Sequence, residues 1–132
     1  MKFSPLTIAI IGAGHLGTSL IKNLVKQGHT NLIATRKNEA ELKKLQPLSP
    51  SLILTPNNKE AAENADVIIL TTKEYCFEEI AQDLKDITNK KLLISLGPTF
   101  TLTKLKTLFK TRNIRLMMPI DPKGDSINYS PD

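Results

Sequence analysis

The feature that most limits what this chain can fold into is Gly12-Ala13-Gly14-His15-Leu16-Gly17. It is a G-x-G-x-x-G pattern set between the aliphatic run Ile8-Ala9-Ile10-Ile11 and a stretch with helical spacing. In that setting each glycine has a distinct use. Gly12 permits a tight turn, Gly14 lets the backbone approach a pyrophosphate, and Gly17 lets the helix pack closely on the strand. The amide groups at the start of the helix then face the anion, and the helix dipole adds to the attraction. Residues 8–36 therefore read as a β-α-β unit shaped for a dinucleotide, with Leu16 beside the loop and His15 placed to donate to a phosphate or to shield it.

Beyond this unit, short β-branched and aliphatic runs alternate with helical spacing. The expected strands are residues 7–11, 32–35, 52–55, 67–71, 91–95 and 114–117. The first helix is expected to carry Leu16, Leu20, Leu24 and Val25 on one face and to end at Gly28, with His29 at the helix terminus. A second, over about 38–45, has Ala40 and Leu42 as its apolar residues and stops before Pro47. A third, over 58–65, opens with Asn58 as a capping asparagine and carries Ala61, Ala62 and Ala65. A fourth, over 77–87, aligns Ile80, Ala81, Leu84 and Ile87. A fifth, over 103–110, turns Leu105, Leu108 and Phe109 inward. Strands joined through helices predict a parallel sheet covered on both faces, a Rossmann-type, doubly wound α/β fold in a single domain. Its expected extent is residues 1–118, followed by an extended tail over 119–132 that is rich in proline.

The end of the second strand bears on which dinucleotide fits. A carboxylate there would accept from a ribose 2′-hydroxyl, but the chain reads Thr35-Arg36-Lys37. Arg36 offers a fork of donors and Lys37 a point charge, which suits a 2′-phosphate and predicts NADP(H) as the cofactor. The other reading leaves Arg36 and Lys37 as exposed charges at a strand end.

Composition narrows the remaining classes. The single cysteine, Cys76, excludes an intrachain disulfide, and its apolar surroundings predict a small buried hydrophobe. Two separated histidines offer no metal site. A net charge of +5 raises the question of nucleic acid, yet the basic residues are scattered with few aromatics among them. No nucleic-acid partner is expected. Nor is a membrane partner, since no apolar run reaches spanning length, and the N-terminus lacks a secretory h-region, which predicts a cytoplasmic protein.

Taken in order, these segments resemble the N-terminal cofactor domain of the pyrroline-5-carboxylate reductases, enzymes of proline biosynthesis. The resemblance rests on Ile10 through Gly17, on Ala34-Thr35-Arg36, on Ala65-Asp66-Val67-Ile68-Ile69-Leu70 with Lys73, on Lys91-Leu92-Leu93-Ile94-Ser95, and on Met118-Pro119. It implies that Asn58 lies near the adenosine and that Thr71, Thr72 and Lys73 lie beside the nicotinamide ribose. Gly97, Pro98, Thr99, Met118 and Pro119 are implied at the nicotinamide end. The chain departs from the family at His15-Leu16, where Asn-Met is usual, and at Glu74, where a proline is usual. It departs again at Leu96-Gly97-Pro98, usually Ala-Ala-Gly, and at Ile120-Asp121-Pro122, usually Asn-Thr-Pro.

Members of that family continue into a helical domain that forms the dimer and completes the substrate pocket. The resemblance therefore implies an oxidoreductase component that is incomplete for catalysis alone, completed by a separate helical subunit or by self-association through a face such as Leu105, Leu108 and Phe109. A dinucleotide-binding module without chemistry is the alternative, as is the cofactor domain of a protein like the coenzyme F420-dependent NADP reductases or ketopantoate reductases. No side chain stands out as a catalytic acid or base. Glu74, Lys73 and Asp121 are read as ordinary solvated charges.

Overall fold

In the computed structural model, residues 6–96, 102–111 and 113–117 are described. Six strands form one sheet: β1 (Ile8–Ile11), β2 (Leu32–Thr35), β3 (Ile53–Thr55), β4 (Val67–Leu70), β5 (Leu92–Leu96) and β6 (Ile114–Met117). The helices between them are α1 (His15–Lys26), α2 (Glu39–Lys43), α3 (Asn58–Glu63), α4 (Phe77–Asp83) and α5 (Leu102–Phe109). The sheet order is β3-β2-β1-β4-β5-β6 and every pairing is parallel, with Ile8 opposite Leu32 on one side and Val67 on the other. This is the expected doubly wound sheet. The chain reverses direction across the sheet between β1 and β4, and a crevice opens at such a switch point beyond the carboxyl ends of the strands.

Both faces of the sheet are buried, and the pleat divides the strand residues between them. Ala9, Ile11, Ile33, Ile68, Leu70 and Leu93 pack with residues of α3, α4 and α5. Ile10, Leu32, Ala34, Val67 and Ile69 turn to the opposite face and pack with Ile21 of α1 and Leu42 of α2. The near-continuous apolar strands are explained by this, since neither side meets water. Phe77 and Phe109 meet edge to face at 6.1 Å between ring centres, joining the start of α4 to the end of α5. Leu105 and Phe109 are buried in this core, and Leu108 is half-buried against it, so these residues pack on the sheet.

Several helix details differ from expectation. The buried line of α1 runs through Gly17 and Ile21, while Leu20, Leu24 and Val25 flank it half-buried. Gly17 allows the close seat: a Cβ there would lie 2.8 Å from Thr71 Oγ1 and 3.1 Å from Ala13 Cβ, so the missing side chain lets this line approach nearest, while Leu16, Leu20, Leu24 and Val25 pack against the same core as expected. The end of α1 is built on the expected glycine: His29 N–H donates to Leu24 O and Gly28 N–H to Val25 O, the paired bonds of a Schellman closure. In α2, only five residues long, Leu42 is buried but Ala40 is exposed. So short a helix turns only one side toward the sheet. Pro47 lies within a 3-10 turn, Gln46–Leu48, just beyond it.

The largest local correction concerns α3. Its capping asparagine is Asn57, whose side chain accepts from Glu60 N–H at 3.1 Å. Asn58 is the first helical residue, and its side chain is released for another use. The expected tail over 119–132 lies outside the described residues.

Candidate functional site

A cleft of about 210 Å³ opens at the switch point. One wall is the glycine turn and the start of α1, with Gly12, Gly14, His15 and Leu16. A second is the end of β2 with Thr35, Arg36 and Lys37, joined by Asn58 of α3. The third is the β4 end, with Thr71, Thr72 and Lys73. Residues far apart in sequence thus meet around one space. Gly17 is buried beneath the cleft instead of lining it. Gly97, Pro98, Thr99, Met118, Pro119 and Asp121 lie outside the described residues.

Hydrogen bonds hold the glycine turn from both sides. From β2, Thr35 Oγ1 accepts from Gly12 N–H at 3.0 Å, and Thr35 O accepts from Ala13 N–H at 2.7 Å. From β4, Thr71 Oγ1 donates to Ile11 O at 2.8 Å, and Thr71 N–H donates to the same carbonyl at 3.1 Å. Both threonines are almost fully buried, at 1% and 5% exposure, so their hydroxyls act within the protein. Thr35 also donates to Asn58 Oδ1 at 2.6 Å, and Asn58 Nδ2 donates to Asp83 Oδ2 at 3.2 Å. That chain of bonds connects the glycine turn to α3 and α4. It is the use for which Asn58 was released when Asn57 took the cap.

The turn itself requires glycine. Gly12 has φ of +71°, and a Cβ there would lie 1.8 Å from Thr72 Cγ2. The next element starts without a side-chain cap of its own, because Gly14 occupies the N-cap of α1. Helix geometry leaves those amide donors without intrahelical partners, and the positive end of the dipole lies at the same point. The combination of a narrow turn, an uncapped helix start and an open cleft fits the pyrophosphate of a dinucleotide.

Two cations stand on the β2 side of the cleft. Arg36, half-buried, donates from a terminal guanidinium nitrogen to Ala13 O at 3.4 Å, which draws it over the glycine turn. Lys37 is exposed and forms an ion pair with Glu79 of α4. The hydrogen bond to Glu79, with the negative charge of that carboxylate and more weakly that of Asp83, raises the Lys37 pKa above its ordinary value against an opposing cost of desolvation. On the β4 side, the Lys73 ammonium lies 5.7 Å from the centre of the Tyr75 ring, which is 77% exposed.

Four wall residues escaped the sequence reading: Tyr75, Cys76, Glu79 and Ile80. They belong to the 3-10 turn Glu74–Cys76 and to α4. Cys76 is half-buried at the cleft, contrary to the expected full burial, because it precedes the first residue of α4. The signal for this wall was the rule that ligands lie beyond the carboxyl ends of parallel strands, applied to the residues just after β4.

Comparison with known proteins agrees with this geometry. Residues 7–98 match the family described as NADP oxidoreductase, coenzyme F420-dependent. Pyrroline-5-carboxylate reductase of Vibrio alginolyticus is 32% identical over 128 residues, covering 93% of this chain and 46% of that protein. Among solved structures, a pyrroline-5-carboxylate reductase from Coxiella burnetii superimposes with a TM-score of 0.75 at 24% identity, covering 86% of this chain and 43% of that one. The Plasmodium falciparum pyrroline carboxylate reductase, solved with NADP bound, gives 0.73 at 19% identity and covers 87% of this chain and 42% of that one. The chain thus spans less than half the length of these relatives.

Proposed function

From the premise that the chain belongs to the coenzyme F420-dependent NADP oxidoreductase family, we propose that it is the NADP(H)-holding part of a pyrroline-5-carboxylate reductase-like oxidoreductase. One observation carries this reading: the glycine turn, the uncapped start of α1 and the Arg36-Lys37 pair line a single cleft at the switch point of a parallel sheet. Gly12, Gly14, His15, Leu16 and the first turn of α1 receive the pyrophosphate, with Gly17 allowing α1 its close seat. Arg36 and Lys37 receive the 2′-phosphate beyond Thr35. Asn58 borders the adenosine, while Thr71, Thr72, Lys73 and Gly97 border the nicotinamide side.

When bound, NADPH supplies a hydride from its nicotinamide ring. The described residues contribute binding and orientation, because a clamped glycine turn presents its amide donors without reorganising. Hydride transfer also needs the substrate carbon held against the ring in near-attack geometry. We assign that task to the part of the enzyme that corresponds to the other half of the relatives, a further helical domain, a separate subunit or a second copy.

The test is a titration with NADPH and with NADH, and then turnover with pyrroline-5-carboxylate. Charge-assisted hydrogen bonds contribute about 1.5 to 3 kcal/mol each, so Arg36→Ala is expected to weaken NADPH on the order of ten- to a hundred-fold and NADH much less. Equal weakening of both nucleotides would remove the 2′-phosphate assignment. Reduction at an enzymatic rate by these 132 residues alone would overturn the division of labour.

A further inference from the structure

We infer that Glu79 is a specificity-determining residue that competes with the 2′-phosphate for Lys37 and so narrows the preference for NADPH over NADH. The inference rests on the reading that Arg36 and Lys37 receive that phosphate. Glu79 lines the same cleft as both cations, and its Oε1 accepts from Lys37 Nζ, bridging the end of β2 and the first turns of α4. Asp83 lies one turn further along the same helix, and its Oδ2 accepts from Asn58 Nδ2. The wall that faces the cations therefore carries one carboxylate, that of Glu79, with Asp83 engaged by Asn58 behind it.

A carboxylate in contact with the ammonium that a phosphate must reach has two consequences. A 2′-phosphate carries a charge of roughly −1.5 to −2, and a carboxylate within a few ångströms repels it. To use Lys37, the phosphate must displace Glu79 or leave that lysine to it and rely on Arg36. A ribose with a free 2′-hydroxyl meets no such penalty, and a carboxylate accepts from hydroxyls. Glu79 thus supplies from α4 the kind of group that NAD-selective domains place at the end of β2. Side-chain exposure of 73% for Lys37 and 58% for Glu79 keeps the pair weak enough to open and sensitive to salt.

Glu79→Gln removes the charge and keeps the size of the side chain. Titrated by nucleotide fluorescence at low salt, this variant is expected to bind NADPH about five-fold more tightly than the unaltered chain, the scale of one exposed ion pair, with no gain for NADH. The gain should shrink at about 0.5 M salt, where such charges are screened. It should also shrink in a Lys37→Ala background, which a merely structural role of Glu79 would not produce. Cys76, the only cysteine and part of the same cleft wall, gives an independent reading of occupancy through protection from thiol alkylation. If the unaltered chain binds NADPH but Glu79→Gln leaves the NADPH to NADH ratio unchanged or lowers it, this inference alone falls. If the unaltered chain binds neither nucleotide, the proposed function falls and this inference with it.

Discussion

The starts of α1 and α3 face the same problem and solve it differently. Each comes after a parallel strand at the carboxyl edge of the sheet, and each begins with amide donors that the helix cannot satisfy. In α3 the Asn57 side chain accepts from Glu60 N–H, and in α2 Asn38 accepts from Glu41 N–H in the same way. These helices complete themselves. In α1 the cap position is Gly14, which has no side chain to offer. The turn before it is nonetheless clamped from both sides, bonded by Thr35 of β2 and by Thr71 just after β4. A rigid turn leading into an uncapped helix is suited to an external anion, whereas a self-capped helix is suited to stability alone.

Substitutions at the two helix starts separate these roles. The largest effect on stability is expected from Gly12→Ala, where positive φ and the overlap with Thr72 Cγ2 combine. Backbone strain and overpacking together should cost about 3 kcal/mol in urea denaturation, accompanied by loss of dinucleotide binding. Unaltered stability would show that the turn is not pinned as described. Removal of a self-supplied cap is smaller in effect: Asn57→Ala should cost about 1 kcal/mol while leaving NADPH affinity within about two-fold. A large loss of affinity there would break the comparison, because it would tie the α3 cap to the ligand. The smallest stability change belongs to Gly14→Ser, which gives α1 a cap like those of its neighbours. Stability should move by only about 0.3 kcal/mol, whereas NADPH binding should fall because the new side chain occupies the approach to the amides and accepts from them. Retained binding would mean that the uncapped start of α1 is not where the pyrophosphate sits.

Much of the fold was legible because its signals are local. A run such as Val67-Ile68-Ile69-Leu70 has the length and β-branching of a strand buried on both faces, and it is one. The glycines of 12–17 announced a turn entering a helix, and Gly28 marked where that helix closes. Less legible was anything set by rotation of a helix about its axis. The leucine spacing of α1 marked a side that does pack on the core, but it is the absent Cβ of Gly17 that seats the adjacent Gly17-Ile21 line deepest. Likewise two adjacent asparagines are equivalent as residue types, and only backbone geometry makes Asn57 the cap and Asn58 the partner of Thr35 and Asp83.

The cleft divides in the same manner. Its glycine wall and its cations are contiguous in sequence with the elements that carry them, so pattern and spacing were enough to name them. Tyr75, Cys76, Glu79 and Ile80 carry no motif, and they reach the site only because β4 lies beside β1 and delivers the start of α4 to the same crevice. By itself, therefore, the sequence determined a glycine turn entering a helix, an alternating α/β chain and a cationic strand end. Those arise from periodicity and residue chemistry within a few turns of chain. Tertiary structure alone decided that buried threonines clamp the turn and that Glu79 of α4 meets Lys37, because such contacts depend on strand order and helix rotation, which no local pattern encodes.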